Sequence, residues 1–315
     1  MFAGRRDATD TRPQIGCPAW LRCRVFGMTA LERVLALPIW QGRVRAEPLA
    51  GGITNVNFRV EDDLRRAVVR VGADIPVHQV MRFNELAASR AAHGAGVSPA
   101  VLYHEDGILV IDWIDGRTLT AADVRAPGMP ERVLDLLKRA HRDMPHFLRG
   151  PVLAFSVFHV IRDYAATLRE SRHAPDLPQY LATAAALERA VGPIDLVFGH
   201  NDLLPANLID DGQRLWLIDW DYAGFNSALF DLGGLAANNG LSPDQEAAML
   251  ERYFERPPDA ALWRAFRAMK AAAALREAMW SMVSESHSDL EIDFVAYTET
   301  TLAAFRAAIT EFEHS

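Results

Sequence analysis

From Met28 to Trp40 the chain reads MTALERVLALPIW, with apolar residues at helical spacing and Thr29 placed to cap the first turn. At Val44 the period shortens to that of strands. VRAEPLAGGITNVNFRVED predicts two strands joined across Gly51 and Gly52, and the Val-rich RRAVVRVG predicts a third. HQVMRFNELAASRAAHGAG returns to the helical period and predicts a helix that stops at Gly94 or Gly96. PAVLYHEDGILVIDWIDG predicts a hairpin turning at Asp106-Gly107. Residues 44–113 therefore describe a small sheet with one helix inserted after its third strand.

Beyond Gly116 the helical period dominates. It predicts helices over 130–144, 157–171, 177–190, 243–255, 259–284 and 292–312, with two short strand-like runs, IDLVFGHND and RLWLIDWDY, between them. There is no internal repeat and no low-complexity block. The pattern divides the chain into an extension with a short helix (1–43), a strand-rich lobe (44–116) and a larger, mainly helical lobe (117–315). The lobes join near Asp112–Arg117, and a cleft between two such lobes is a common place for a ligand. The fold class is α+β.

The 315 residues are half hydrophobic, enough for a core of this kind. No apolar run reaches the ~18–20 residues that span a bilayer. The first residues, MFAGRRDATDTRPQIGCPAWLRCRVFG, lack the apolar segment of a secretory signal. We expect residues 1–27 to be a poorly ordered extension and Met28 to be the native start; a mass spectrum of the native protein containing residues 1–27 would refute this. The two cysteines, Cys17 and Cys23, both lie there, which argues against a disulfide framework and fits a reducing cytoplasm. With no His or further Cys nearby they make a poor zinc site. The net charge of −8 argues against a nucleic-acid footprint and favours, weakly, a cationic small substrate.

The chemistry concentrates between Gly199 and Gly224, GHNDLLPANLIDDGQRLWLIDWDYAG. His200, Asp202 and Asn207 stand at the spacing H-x-D-x-x-x-x-N of a kinase catalytic loop, and the apolar run RLWLI then delivers Asp219. Phosphoryl transfer needs one carboxylate at the substrate hydroxyl. It also needs oxygen ligands that hold Mg²⁺ against the phosphates of ATP. A lone Asp202 would read as a turn or capping carboxylate; with Asn207 and Asp219 at these spacings the catalytic reading prevails. No Walker motif occurs, so the nucleotide site is not a P-loop. Gly51 and Gly52 allow a tight turn with exposed N–H groups, and Thr54 and Asn55 offer side-chain donors to phosphate.

GHNDLLPANL and LIDWDYAGFNSALFDLG resemble the two central motifs of the choline/ethanolamine kinase family, within the wider group of aminoglycoside-phosphotransferase-like and protein-kinase-like folds. The similarity extends to GGITNVNFRV and AVVRV…RFNELAASRAAHGAGVSP and covers about residues 44–300. It implies a bilobal protein-kinase-like fold with ATP and Mg²⁺ in the cleft. Asp202 would be the base that takes the hydroxyl proton, and Asn207 and Asp219 the metal ligands. Arg70 would hold phosphates where kinases place a Lys, with Glu85 as its ion-pair partner; residues 1–137 contain no lysine to compete. Adenine would meet backbone around Asp112–Ile114. His200 would hold the loop by hydrogen bonds, and Asp231 would cap a helix or brace the catalytic loop.

The acceptor implied is a small cationic amino alcohol, choline or ethanolamine. Trp280 and Tyr297 lie where such kinases carry aromatic residues facing the substrate, and Tyr222 and Phe225 offer another wall. Asp221 would add a metal contact or face the cation. Glu277, Glu285, Asp289, Glu291 and Asp293 also suit an aminoglycoside, whose amines need acceptors, and thiamine is a third acceptor. A pseudokinase that binds nucleotide without turnover is the alternative from a different class.

Overall fold

The short helix α1 (Ala30–Leu35) starts where Thr29 and Glu32 form a reciprocal capping box. A computed structural model describes residues 29–49, 55–288 and 292–314 of the protein. The expectations for residues 1–27, Cys17, Cys23, Gly51, Gly52, Thr54, Asp289 and Glu291 lie outside the described residues.

Strands β1 (Arg45–Leu49), β2 (Val56–Glu61), β3 (Arg66–Val71), β4 (Val101–Glu105) and β5 (Ile108–Asp112) form one antiparallel sheet in the order β1-β2-β3-β5-β4. Alternation along these strands sends Phe58, Val60, Val69 and Val110 into a core shared with Val34 of α1. The β4–β5 hairpin turns at Asp106-Gly107, where Gly107 takes φ +70°. Helix α2 (Arg82–Gly94) follows β3 and ends with Gly96 in the left-handed region, as the glycines predict.

The rest of the chain is α3 (Ala121–Arg125), α4 (Met129–Phe147), α5 (Val157–Thr167), α6 (Leu177–Val191), α7 (Ala228–Asn239), α8 (Pro243–Phe254), α9 (Ala260–His287) and α10 (Phe294–Glu313). Between them lie β6 (Arg117–Thr118), β7 (Leu196–Gly199), β8 (Leu208–Asp210), β9 (Leu215–Leu217) and β10 (Gly224–Ser227). Strands β6-β8-β9 form one small sheet and β7-β10 another. The buried face of α9, including Phe266, Met269, Leu275 and Met279, belongs to the core of this lobe. The helix predicted over 157–171 stops at Thr167 and tightens into a 3₁₀ turn over Leu168–Glu170. Among the described residues no helix is long and apolar enough to cross a membrane.

The two lobes are tied behind the cleft. Leu217 N–H donates to the carbonyl of Val97 (2.9 Å), and the buried indole of Trp220 donates to Ser98 Oγ (2.8 Å), which in turn donates to the Leu217 carbonyl. The loop between β9 and β10 is thereby anchored to the end of α2. That loop carries Asp219 and Asp221.

Candidate active site

Strand β7 ends at Gly199, and the next two residues are held by Asp231 in the first turn of α7. Its buried carboxylate accepts from the N–H of His200 (2.8 Å), the N–H of Asn201 (2.7 Å) and His141 Nε2 (2.8 Å). Burial opposes its ionisation, yet these donors hold its pKa below the ordinary 3.8. Asp231 is thus a brace of the loop, whereas Ser227 caps α7. His200 donates from Nε2 to the Ile218 carbonyl (2.9 Å), which leaves Nδ1 to accept from Asp202 N–H (3.3 Å). Both ring nitrogens are engaged in holding the loop.

Replacing Asp231 with Asn keeps the size but puts an N–H₂ among three donors. We expect Asp231→Asn to lower unfolding stability by about 2 kcal/mol or more. The wild-type advantage is present above the unfolded pKa of 3.8 and fades as pH falls through the lower folded value. Melting curves of both proteins between pH 3 and 7 check this; an equal gap at all pH values would contradict it.

Asp202 stands part-exposed on this loop, with its carbonyl accepting from Asn207 Nδ2 (2.9 Å) and Leu204 N–H (2.9 Å). The amide of Asn207 thereby holds the loop through its nitrogen. Asn201, at φ +64°, donates to the Tyr222 carbonyl (2.9 Å) and so connects the catalytic loop to the loop of Asp219. Asp219 itself takes φ +70°, a conformation an L residue adopts at a cost.

Across the cleft Arg70 on β3 faces three carboxylates. It lies 2.9 Å from Glu85 on α2, 2.8 Å from Asp219 and 3.0 Å from Asp221. Burial works against the guanidinium charge, but these carboxylates more than offset it and raise its pKa. Arg82 joins the cluster at 2.6 Å from Glu85 and 3.0 Å from Asp221. Burial pushes Glu85 up to about 7, with Asp221 adding to the shift against the pull of both arginines. Asn55 Nδ2 donates to Asp221 (2.9 Å). Asp221 is therefore buried among Arg70, Arg82 and Asn55, tying the end of β3, helix α2 and the start of β2 to the loop of Asp219. The sequence reading did not single out Arg82; its place three residues before Glu85 on one helix was the available signal.

At the join of the lobes Asp112 is exposed at the end of β5. Its N–H donates to the Ala100 carbonyl (2.9 Å), and the Ile114 carbonyl accepts from Gly116 N–H (3.0 Å). Those two backbone groups are engaged within the chain.

The aromatic residues singled out in the sequence converge. Trp280 Nε1 donates to the Tyr222 hydroxyl (2.9 Å), and the rings of Trp280 and Tyr297 meet edge-on at 6.2 Å. Phe225 instead packs on Phe198 at 5.3 Å. Of the acidic residues, Glu285 is taken up by Arg172 (2.9 Å), His173 (3.1 Å) and Thr298 (2.8 Å), and Asp293 caps α10. Glu277 accepts from the Tyr297 hydroxyl (2.6 Å) and lies 3.0 Å from Arg276.

The chain is 25% identical over 287 residues to a probable ethanolamine kinase of Arabidopsis thaliana, covering 80% of this chain and 76% of that protein. It is 27% identical over 212 residues to the protein LicA of Haemophilus influenzae, covering 64% of this chain and 61% of the other. The crystal structure of a choline/ethanolamine kinase family protein from Mesorhizobium loti superposes with a TM-score of 0.75 at 28% identity, covering 90% of this chain and 95% of that one. The model of the phosphotransferase enzyme family matches residues 45–269, from the first strand of the sheet into α9, and includes Arg70, Glu85, Asp202, Asn207 and Asp219. The chain has the protein-kinase-like fold and belongs to the phosphotransferase enzyme family.

Proposed function

We propose that the protein transfers the γ-phosphoryl group of ATP to the hydroxyl of a small amino alcohol, ethanolamine or choline. The observation that carries this reading is the braced loop that presents Asp202, with Asn207 and Asp219 beside it and the Arg70–Glu85 pair opposite. The hydroxyl oxygen of the acceptor bonds to the γ-phosphorus as the bond from that phosphorus to the ADP oxygen breaks. The hydroxyl proton passes to the Asp202 carboxylate, and ADP leaves. Little base strength is needed, because the transition state is loose and positioning dominates.

Mg²⁺ fits the donor set. Asn207 and Asp219 supply hard oxygens only, and such an ion takes its other ligands from phosphates and water. Among the described residues no group of three or more His, Cys, Asp and Glu side chains forms a metal cage of its own. The bound ion would neutralise phosphate charge that Arg70 alone cannot balance. Arg70, which reaches Asp219, would hold phosphate oxygens at that side of the cleft.

A small acceptor is supported over an aminoglycoside by the fate of the carboxylates. Glu285 and Asp293 are used inside the fold, and we assign the amine to Glu277 and Asp202. The test is phosphorus NMR of a reaction containing ATP, Mg²⁺ and either alcohol. We expect one new phosphomonoester resonance per ADP formed; inorganic phosphate in its place would overturn the proposal.

A further inference from the structure

The aromatic cluster near Asp202 already contains a cation. Arg276 of α9 is buried, and its guanidinium lies 4.5 Å from the centre of the Tyr222 ring and 5.5 Å from that of Phe155. Its Nε and Nη2 are buried without hydrogen-bond partners, and Tyr164, Tyr222 and Phe155 are among the side chains around the guanidinium. Burial works against this charge, but Tyr164, Tyr222, Glu277 and Asp202 together raise its pKa, so it stays charged at any working pH. Trp280 is no freer. His78 lies against it at 5.1 Å with a 32° tilt, Phe294 and Tyr297 close on it at 6.0 and 6.2 Å, and its N–H is spent on Tyr222.

A trimethylammonium group has no N–H and depends on open aromatic faces. A primary ammonium carries three donors and depends on oxygen acceptors. The polar group left beside the cluster is Glu277. Its carboxylate is oriented by Tyr297 and Arg276 and its side chain keeps 28% of its surface exposed. Asp202 and Glu277 both act on the charge of Arg276 and on the Tyr222 hydroxyl.

Building on the proposed amino-alcohol kinase reading, we infer that the Arg276–Glu277 pair sets specificity: Arg276 occupies the cation-binding ring faces, Glu277 receives the substrate nitrogen, and the enzyme selects a primary ammonium over a quaternary one.

The test is steady-state kinetics with ethanolamine and choline on the full chain, backed by calorimetric binding of each alcohol. We expect wild-type kcat/KM for ethanolamine to exceed that for choline about tenfold or more, the scale of a hydrogen bond to a charged group. Glu277→Gln raises KM for ethanolamine about tenfold and that for choline by a clearly smaller factor. Arg276→Met uncovers the rings and lowers the ethanolamine-to-choline ratio. Choline used as well as ethanolamine by the wild type, or equal losses for both alcohols in Glu277→Gln, would overturn the inference and leave the kinase reading intact. Turnover of neither alcohol would overturn the kinase reading itself, and the inference with it.

Discussion

Asp202→Ala lowers kcat by about three orders of magnitude or more while nucleotide affinity stays within a few-fold of wild type. In the proposed mechanism the carboxylate orients the hydroxyl and takes its proton, a contribution of about 10²–10⁴ for proton transfer alone, with misorientation of the acceptor on top. The fold survives the change. The loop is held by the backbone N–H and C=O of Asp202 and by Asp231, His200 and Asn201. Measured kcat together with nucleotide titration separates the outcomes. Parallel loss of both would mean a structural role.

Asp219→Ala removes the carboxylate we propose as a metal ligand and is expected to abolish the Mg²⁺ dependence of nucleotide binding as well as turnover. A second effect follows from the ion pairs. Arg70 loses the contact at 2.8 Å but keeps Glu85 and Asp221, so the cluster rearranges without leaving a buried charge unpaired. Stability therefore falls by less than binding does. Titrating nucleotide with and without Mg²⁺, beside a melting curve, reads the two effects apart. Unchanged Mg²⁺ dependence would remove Asp219 from the metal site.

The sheet of β1–β5 and helix α2 were legible from their apolar periods and, for the β4–β5 hairpin and the end of α2, from glycines at turns the structure uses, Gly107 and Gly96. Helix α7 was not. Its sequence ALFDLGGLAANN is buried nearly all round and carries two glycines, so it shows neither an amphipathic stripe nor an uninterrupted helical run. Strands β6, β8 and β10 span two to four residues, too few for a period. Of the site, the catalytic loop was legible because its residues are close in sequence. The ion-pair cluster was legible only through Arg70 and Glu85, since Arg82 and Asp221 meet through tertiary folding. Arg276 was missed. The signal was present in ALREAMW, where a charged pair interrupts the most buried stretch of α9, but only the packed rings explain what the charge does.

The account rests on phosphoryl transfer to a small amino alcohol. The measurement that tests it most directly is ADP release from ATP and Mg²⁺ in the presence of ethanolamine, choline, thiamine or kanamycin. The account predicts turnover with ethanolamine and choline and none above background with the other two. Turnover with kanamycin or thiamine alone, or bound ATP with no turnover on any of the four, would contradict it.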